Sequence, residues 1–415
     1  MNKLYSAFLL SLIALTVFSQ VEQELNPPDF IKTIIFKGNT QESQLPFVRL
    51  GEILQLEFDA LTAKEDDFYY TIEHYDYDWK PSSLFKTEYL DGIDNQRIRT
   101  YENSFNCYQI YSHYYLTLPN QQTRGLKVSG NYMIKIFDNY GELMFSRKFM
   151  VYEELSSVGI TVRRSKDVRF LDEKQNIDLV VAPSGINVIN PTQTIKTTII
   201  QNNNLNTAIT NLKPQYTLGT QLVYKYIEET AFWGGNEYFF FENKDIRAAT
   251  SSIQSIELRE LYNTFLFTNI PRKNRPYTFN PDINGNFVIT AIDVENPDIE
   301  ADYAWVHFSL KTQEMLGTDV FVYGNFNNYA LDQTNIMSYD NEHGVYYTSI
   351  LLKQGFYNYK FVTVNNKGLL DENAISGSFD ETENNYKVLV YYRELGGRYD
   401  RIIGFNQVDS VKIYN

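Results

Sequence analysis

The chain of 415 residues carries 51 acidic and 37 basic side chains, which gives a formal net charge of −14, and it contains one cysteine. A single thiol excludes a disulfide framework within the chain and a zinc site built from several cysteines, and the acidic balance argues against a nucleic-acid binder. With 33 Tyr, 28 Phe and 43% hydrophobic residues, intrinsic disorder is excluded, and the length predicts two or three domains with sizeable cores.

The N-terminal segment has the organisation of an export signal. Lys3 supplies a positive charge, residues 4–18 form an apolar run, and the small Ser19 fits a cleavage site that leaves Gln20 as the new N-terminus. A membrane anchor is the alternative, but the run is shorter than the ~20 residues that a spanning helix needs. We therefore expect a signal peptide at residues 1–19 and an exported, soluble mature chain.

Beyond residue 20 the sequence predicts strands almost everywhere. Short runs rich in Tyr, Phe, Ile, Val and Thr alternate with clusters of Asn, Gly, Asp and Pro, which is typical of all-β domains. Hairpins are predicted around residues 139–141, at Asn284-Gly285 and at Gln354-Gly355. Residues 252–261 show a weak helical period, and we expect a loop or a strand there, with a short helix as the alternative.

Composition shifts along the chain predict three consecutive β-sandwiches of immunoglobulin-like or early-set type. One strand-rich block ends at residues 153–157, and residues 293–302 (DVENPDIEAD) form an acidic segment that is interpreted as a linker. The expected domains are therefore an N-terminal sandwich at 20–155, a middle sandwich at 156–295 and a C-terminal sandwich at 300–415. Each block has the size of one sandwich.

One polar cluster raises the question of a metal site. In the segment 73–79 (EHYDYDW), a strand would place His74, Asp76 and Asp78 on the same face. Such a face could bind a metal ion, but a solvated sheet edge is the favoured interpretation, because no second His-rich segment completes the site. Whether His113 approaches His74 depends on the fold.

Catalytic motifs are absent from the sequence. It contains no Gly-x-Ser-x-Gly, no His-Glu-x-x-His and no phosphate-binding Gly-x-x-x-x-Gly-Lys. We expect no catalytic residues, no metal ligands and no cofactor, and we interpret Cys107 as a buried small side chain rather than a reactive thiol. Glycosidases on β scaffolds often lack a short signature, so an enzyme acting on glycans stays open.

The third block resembles early-set sandwich domains related to glycogen-binding modules. Residues 320–329 read VFVYGNFNNY and are followed by GVYY and LLKQGFYNYKFV, as in the strand, turn and strand of those modules. The resemblance implies the sandwich fold. Sugar-binding members usually stack a sugar on an exposed Trp, and Tyr329 stands where such modules commonly place it. Trp233, in AFWGGNEYFFF, is either an exposed contact or a core anchor.

Long aromatic segments in collinear order carry a second resemblance that spans nearly the whole mature chain. They include YYTIEHYDYDWKPSSL, VSGNYMIKIFDNYGELMFSRKFMVYE, FWGGNEYFFFENKDIRAA and GSFDETENNYKVLVYYRELGGRYDRIIG. These segments resemble the plug protein family of the type IX secretion system. The resemblance implies a non-enzymatic periplasmic protein that binds the giant outer-membrane β-barrel translocon and closes its periplasmic end when no substrate or shuttle protein is bound.

Two other functions stay open beside this one. The third block and the aromatic content also fit a periplasmic carbohydrate-binding protein or glycan-processing enzyme, and sandwich edges could serve an assembly chaperone by accepting strands from partners. For the plug, no nucleic acid or small-molecule substrate is expected, and the membrane is reached only through the barrel. The candidate partner-binding side chains are aromatic residues expected near domain tips, namely Tyr75, Tyr77, Trp79, Trp233 and Tyr329.

Overall fold

The computed structural model describes residues 21–39 and 44–410, so the expected signal peptide at 1–19 lies outside the described residues. Strands arranged in paired sheets account for 48% of the residues and helices for 5%, and the predicted all-β sandwich class is confirmed. Within the same ranges, no helix has the length and apolar character that crossing a membrane requires.

The first sandwich spans Ile31 to Tyr152. Its elements are β1 (Ile31–Lys37), β2 (Phe47–Arg49), β3 (Leu54–Ala60), β4 (Tyr69–Tyr75), α1 (Lys86–Tyr89), β5 (Leu90–Gly92), β6 (Gln96–Arg97), β7 (Thr100–Asn103), β8 (Ser112–Leu118), β9 (Thr123–Leu126), β10 (Gly130–Phe137) and β11 (Leu143–Tyr152). One sheet has the order β1-β3-β8-β7 and the other β2-β11-β10-β4-β6, while β5 and β9 form a ribbon. Aromatic side chains such as Phe58 and Phe149 fill the space between the two sheets.

The chain then enters a second sandwich but leaves it before it is complete. The elements of this part are β12 (Ser156–Arg164), β13 (Lys174–Pro183), α2 (Pro191–Thr194), β14 (Ile195–Gln201), β15 (Asn204–Leu212), β16 (Tyr216–Leu218), β17 (Gln221–Tyr224) and β18 (Ala231–Trp233). Strands β12, β13, β17 and β16 form one sheet, and β18 also pairs with β13. The facing sheet contains β15 and β14 and needs two further strands.

A third sandwich follows. Its elements are β19 (Phe239–Glu242), β20 (Ile253–Leu258), β21 (Tyr262–Leu266), β22 (Phe287–Ile289), α3 (Pro297–Glu300), β23 (Tyr303–Lys311), β24 (Thr318–Tyr323), β25 (Ser338–Asp340), β26 (Val345–Lys353), β27 (Gly355–Asn365) and β28 (Leu370–Asp371). One sheet has the order β20-β21-β23-β26-β25, and in the other β27 pairs with β19, β22, β24 and β28. The strand alternative for residues 252–261 is thus confirmed by β20.

The last two strands return to the middle sandwich. These are β29 (Asn385–Tyr392) and β30 (Arg401–Asp409), and they extend the second sheet in the order β15-β14-β29-β30. Their side chains share one core with those of β12 to β18. A linear division at residues 295–300 is corrected accordingly: the third sandwich is inserted in the middle one, and residues 293–302 connect two of its own strands.

Two of the three predicted hairpins are wrong. The turn at residues 139–141 does join the antiparallel strands β10 and β11. Asn284 and Gly285 form a turn, but the strand after it, β22, pairs with β27. Gln354 separates two strands of different sheets, where its backbone N–H donates to the Asp302 oxygen at 2.9 Å and turns the chain across the sandwich.

A buried carboxylate joins the first sandwich to the third. Asp59, on β3, accepts hydrogen bonds from Lys353 Nζ at 2.7 Å and from the Tyr303 hydroxyl at 2.6 Å, and His113 Nδ1 lies 2.5 Å from its other oxygen. Although burial raises the pKa of Asp59, Lys353 and His113 together hold it below its ordinary value. The two sandwiches are therefore held by a matched charge pair inside the protein.

Cys107 lies at the margin of this contact and is half-buried. Its Sγ is 3.6 Å from the Ile299 backbone oxygen and 3.7 Å from that of Ala301. Burial raises the pKa of the thiol to about 11. The thiol is therefore protonated near neutral pH, which agrees with its interpretation as a packing residue.

The middle sandwich meets the first through a second buried carboxylate. Asp400, between β29 and β30, accepts from Arg393 Nη2 at 2.7 Å and from the Tyr77 backbone N–H at 3.2 Å. The same guanidinium pairs with Asp76 of the first sandwich at 2.7 Å. An apolar cluster shared by both sandwiches surrounds these groups. It contains Leu45, Met150, Ile200, Leu389, Tyr391 and Ile402.

An asparagine turn joins the middle sandwich to the third. Asn202 and Asn203, between β14 and β15, adopt φ of 51° and 58°, a left-handed conformation that Asn tolerates better than most residues. The next residue, Asn204, donates to the Tyr323 hydroxyl at 3.0 Å, and the Tyr329 hydroxyl donates to the Asn202 oxygen at 2.9 Å. Each pair of sandwiches is thus connected by hydrogen bonds.

His74 is a buried core residue and has no place in a metal site with its neighbours. Its ring nitrogens lie 2.8 Å from the Ser82 hydroxyl and 3.3 Å from the Ser129 oxygen. Because β4 ends before Asp76, that residue and Asp78 lie in the following turn and do not share a strand face with His74. The solvated-edge interpretation is wrong for His74, and the four His side chains do not come together there.

Breaking the buried Asp400 cluster should destabilise the protein strongly. In Asp400→Asn, the Arg393 guanidinium keeps Asp76 but loses its fully buried charged partner, and we expect the free energy of unfolding to fall by about 3 kcal/mol. Urea denaturation followed by tryptophan fluorescence measures the change. The control is Glu257→Gln, which breaks an exposed 2.7 Å pair with Arg259 and should cost less than about 1 kcal/mol. Equal effects of the two variants would contradict the assigned role of Asp400.

The stability of the protein should fall between pH 6.5 and pH 4 because of His74. Burial lowers the pKa of His74 from 6.5 to about 4, against the opposing effects of the Ser129 carbonyl and Asp400. In this window the unfolded chain binds the proton and the folded chain does not, so folding is favoured above it and is weakened by roughly 3 kcal/mol at its acidic end.

His74→Gln tests this dependence. The variant should show a flatter curve of unfolding free energy against pH between 6.5 and 4, measured by urea denaturation. His343→Gln, which changes an exposed side chain, should keep the wild-type slope. If the slopes of wild type and His74→Gln coincide, another group carries the acid sensitivity.

Candidate partner interface

Three of the expected contact aromatics lie inside the protein or at the contact between sandwiches. Tyr75 is fully buried, and its hydroxyl donates to Glu73 at 2.7 Å. Tyr77 and Trp79 are half-buried and pack onto the apolar cluster between the first and the middle sandwich. Tyr75 is therefore not an exposed contact, whereas Tyr77 and Trp79, in the turn after β4, are partly covered by the middle sandwich.

Tyr329 is also buried and serves a different contact. Its ring packs on Tyr323 with centroids 5.0 Å apart, and its hydroxyl reaches the asparagine turn of the middle sandwich. A partner or a sugar cannot stack on a ring that another sandwich already covers. The position that carries an exposed Trp in glycogen-binding modules is therefore a fixed packing position in this chain.

Trp233 is the expected contact residue that the structure leaves exposed. It ends β18, at the margin of a sheet, and 43% of its surface is accessible. Lys174 Nζ lies 4.2 Å from the centroid of the Trp233 ring and 4.2 Å from that of Phe170. The two rings meet edge to face at 5.5 Å. The cation between two rings holds both aromatic faces in place.

Other apolar side chains extend this surface. The turn at Val168–Phe170 follows β12, and Val168 is 85% exposed. Leu171 and Ile227 are exposed as well, while Arg169 pairs with Asp167 at 2.5 Å on the rim. We name this surface the aromatic tip; it comprises Val168, Phe170, Leu171, Lys174, Ile227 and Trp233.

The aromatic tip has the anatomy of a protein contact of modest size. Apolar and aromatic groups lie at its centre, and paired charges surround them, as in transient interfaces. The sequence analysis identified Trp233 and missed Phe170 and its neighbours. They occur in the charged run SKDVRFLDEK, which has no strand or helix period. The available signal was three apolar residues within four positions of a charged turn.

A cleft of about 840 Å³ opens beside Trp233, between the middle and the third sandwich. Asn206 lines it from the middle sandwich, and the ion pair of Lys360 with Glu372 lines it from the third. Gly234 forms its corner, since a Cβ there would lie 2.0 Å from the Phe379 backbone oxygen. The cleft adds amide and charged groups to the aromatic tip.

Comparison with known proteins adds a family to this geometry. Residues 31–153, which contain the whole first sandwich, match the family model described as the type 9 secretion system plug protein first domain. A crystal structure of a hypothetical protein from Parabacteroides merdae matches with a TM-score of 0.89 and 30% identity, over 93% of this chain and 98% of that one. An ICAM-5 D1–D4 ectodomain fragment aligns at 10% identity with a TM-score of 0.16, and no curated protein matches significantly. The chain belongs to the type IX secretion system plug protein family.

Proposed function

We propose that this protein is a non-enzymatic plug, which binds the outer-membrane β-barrel translocon of the type IX secretion system from the periplasm and closes it when no substrate or shuttle protein is bound. Family membership supports a role in type IX secretion and a location in the cell envelope. The structural observation that carries the proposal is the pairwise joining of the three sandwiches. Asp59, Asp400 and the asparagine turn each hold a different pair.

A plug must obstruct a pore without its domains moving relative to one another, and the fold meets this need. Sandwiches connected only by linkers would move relative to one another, as domains with small polar contacts do. Here buried ion pairs and tyrosine hydroxyls fix each neighbour, so the protein presents one broad obstacle. The third sandwich is also bound at both ends of its chain segment, because β18 and β29 lie in the same middle sandwich.

A plug must also leave the barrel when transport begins, and the aromatic tip suits reversible binding. An apolar centre with a charged rim gives moderate affinity, unlike the large apolar faces of permanent complexes. The net charge of −14 adds long-range steering toward a basic surface. We therefore propose the aromatic tip as the surface that contacts the translocon.

The carbohydrate-binding alternative depends on Trp233 and the adjoining cleft. An indole ring beside amide side chains such as Asn206 and Asn236 has the composition of a sugar-binding surface. Lys174 already occupies one face of the indole ring, however, and Tyr329 is withdrawn from the surface. Affinity electrophoresis in polysaccharide gels distinguishes a glycan binder from a plug. Only a glycan binder should migrate more slowly in the polysaccharide gel and lose this retardation in Trp233→Ala.

Removing the aromatic tip should weaken binding to the translocon. In the double variant Phe170→Ala/Trp233→Ala, two central rings are lost, and we expect the amount of co-purified barrel to fall at least ~10-fold. Tagged protein is isolated from detergent-solubilised envelopes, and the barrel is quantified by mass spectrometry. Tyr140→Ala, on an 85% exposed side chain of the β10–β11 turn, is the matched control. If the double variant folds and retains the barrel as wild type does, the contact lies on another surface.

Deleting the gene should make the outer membrane permeable to large antibiotics while the barrel remains present. An open barrel admits molecules that the intact membrane excludes, so the minimal inhibitory concentration should fall. Wild-type protein should restore the barrier, and the double variant should not. Unchanged permeability with normal barrel levels would refute the plug function, and loss of the barrel itself would indicate an assembly chaperone.

A further inference from the structure

The face of the first sandwich that meets the third carries several charged side chains. Along β3, Leu56 and Phe58 point into the core, so that Glu57 and Asp59 point outward. On the neighbouring strand β8, His113 lies directly opposite Asp59 in the register. The third sandwich covers this face, and its short helix α3 lies against β8.

Three potential metal ligands converge between these two sandwiches. A ring nitrogen of His113, a carboxylate oxygen of Glu57 and a carboxylate oxygen of Asp298 all lie within 4.8 Å of one another. Glu57 and His113 are buried, and Asp298, on α3, is half-buried and gives access from solvent. A tetrahedral ion with bonds of about 2.1 Å holds its ligands about 3.4 Å apart, so modest side-chain movements close the site.

His113 has the arrangement of a metal-binding imidazole. Its side chain is 1% exposed, and its Nδ1 is engaged with the Asp59 carboxylate at 2.5 Å. In the part of the chain that the structure describes, its Nε2 has no hydrogen-bond partner. A buried nitrogen without a partner is costly, whereas a carboxylate on Nδ1 leaves the Nε2 lone pair available and orients it, as in carboxylate–histidine–zinc triads.

The surrounding charges leave room for a cation. Glu57 pairs with Lys37 at 3.2 Å, and Asp298 accepts a long hydrogen bond of 3.4 Å from the Tyr115 hydroxyl. Lys353 neutralises Asp59 and also donates to the Asp298 backbone oxygen. Three carboxylates against two ammonium groups give the region an excess negative charge when His113 is neutral. The contact of Glu57 with Lys37 involves one oxygen of the Glu57 carboxylate, and the contact of Asp298 with Tyr115 involves one oxygen of the Asp298 carboxylate. Each contact therefore leaves the second oxygen of its carboxylate out.

We propose that Glu57, His113 Nε2 and Asp298 form a binding site for a divalent zinc ion. One imidazole and two carboxylates are a ligand set that zinc accepts, with water in the fourth position. Two ligands come from the first sandwich and one from the third, so the ion clamps these sandwiches together beside the Asp59 cluster. The inference does not depend on the plug function, since it concerns the contact between two sandwiches.

Zinc titration of the full mature chain tests the proposal. The protein is freed of its purification tag, treated with a chelator and titrated with zinc chloride in a calorimeter. We expect saturable binding of one zinc ion per chain and a rise in Tm, because only the folded chain brings the three ligands together. Glu57→Gln and Asp298→Asn keep the size of each side chain and should each weaken zinc binding at least ~10-fold, with the Tm of the metal-free protein retained.

The matched control is His343→Ala. His343 is an exposed histidine whose Nδ1 lies 2.7 Å from the Asp340 carboxylate. Its replacement tests for nonspecific binding of zinc to a surface histidine. This variant should bind zinc as the wild type does. Absence of zinc binding by the wild type, undiminished binding in Glu57→Gln and Asp298→Asn, or loss of binding in His343→Ala would each overturn the proposal.

Discussion

The antiparallel pairing of β29 with β14 is the interaction on which the rest of the structure depends. It runs from Ile195 opposite Tyr392 to Gln201 opposite Tyr386, and it closes the middle sandwich with strands that are distant in sequence. The whole third sandwich is thereby held between β18 in one sheet and β29 in the facing sheet of the middle sandwich. The same return places Asp400 against the first sandwich, so one strand pairing positions all three bodies.

Tyrosine connects the sandwiches to one another. Tyr303, Tyr329 and Tyr391 each bury an apolar ring and extend a hydroxyl to an acceptor in a different sandwich. Phenylalanine would supply the ring without the directional bond, and a short polar side chain would supply the bond without the area. Burying charged Asp59 and Asp400 adds little net stability once desolvation is counted, but it penalises any other placement of the neighbours.

The candidate interface was only partly predictable from sequence. An aromatic residue at the end of a strand has the same pattern whether it faces solvent or another domain, so Tyr75 and Trp233 could not be separated by local features. Burial of Tyr329 is decided by a sandwich from elsewhere in the chain, since its hydroxyl bonds to the Asn202 oxygen of the middle sandwich. The proposed zinc ligands show the same limit, because Glu57 and Asp298 lie far apart in sequence and meet only across a domain contact.

The sequence by itself determined the all-β class, the hairpin at residues 139–141 and the family. Residue alternation, turn composition and long aromatic segments are local properties, and each can be recognised without the partner strand. Only the tertiary structure decided that β26 and β27 lie in different sheets and that β29 returns to the middle sandwich. Strand pairing is non-local: the backbone of a strand such as Asn385–Tyr392 can bond to any edge, and packing of the assembled cores selects the partner.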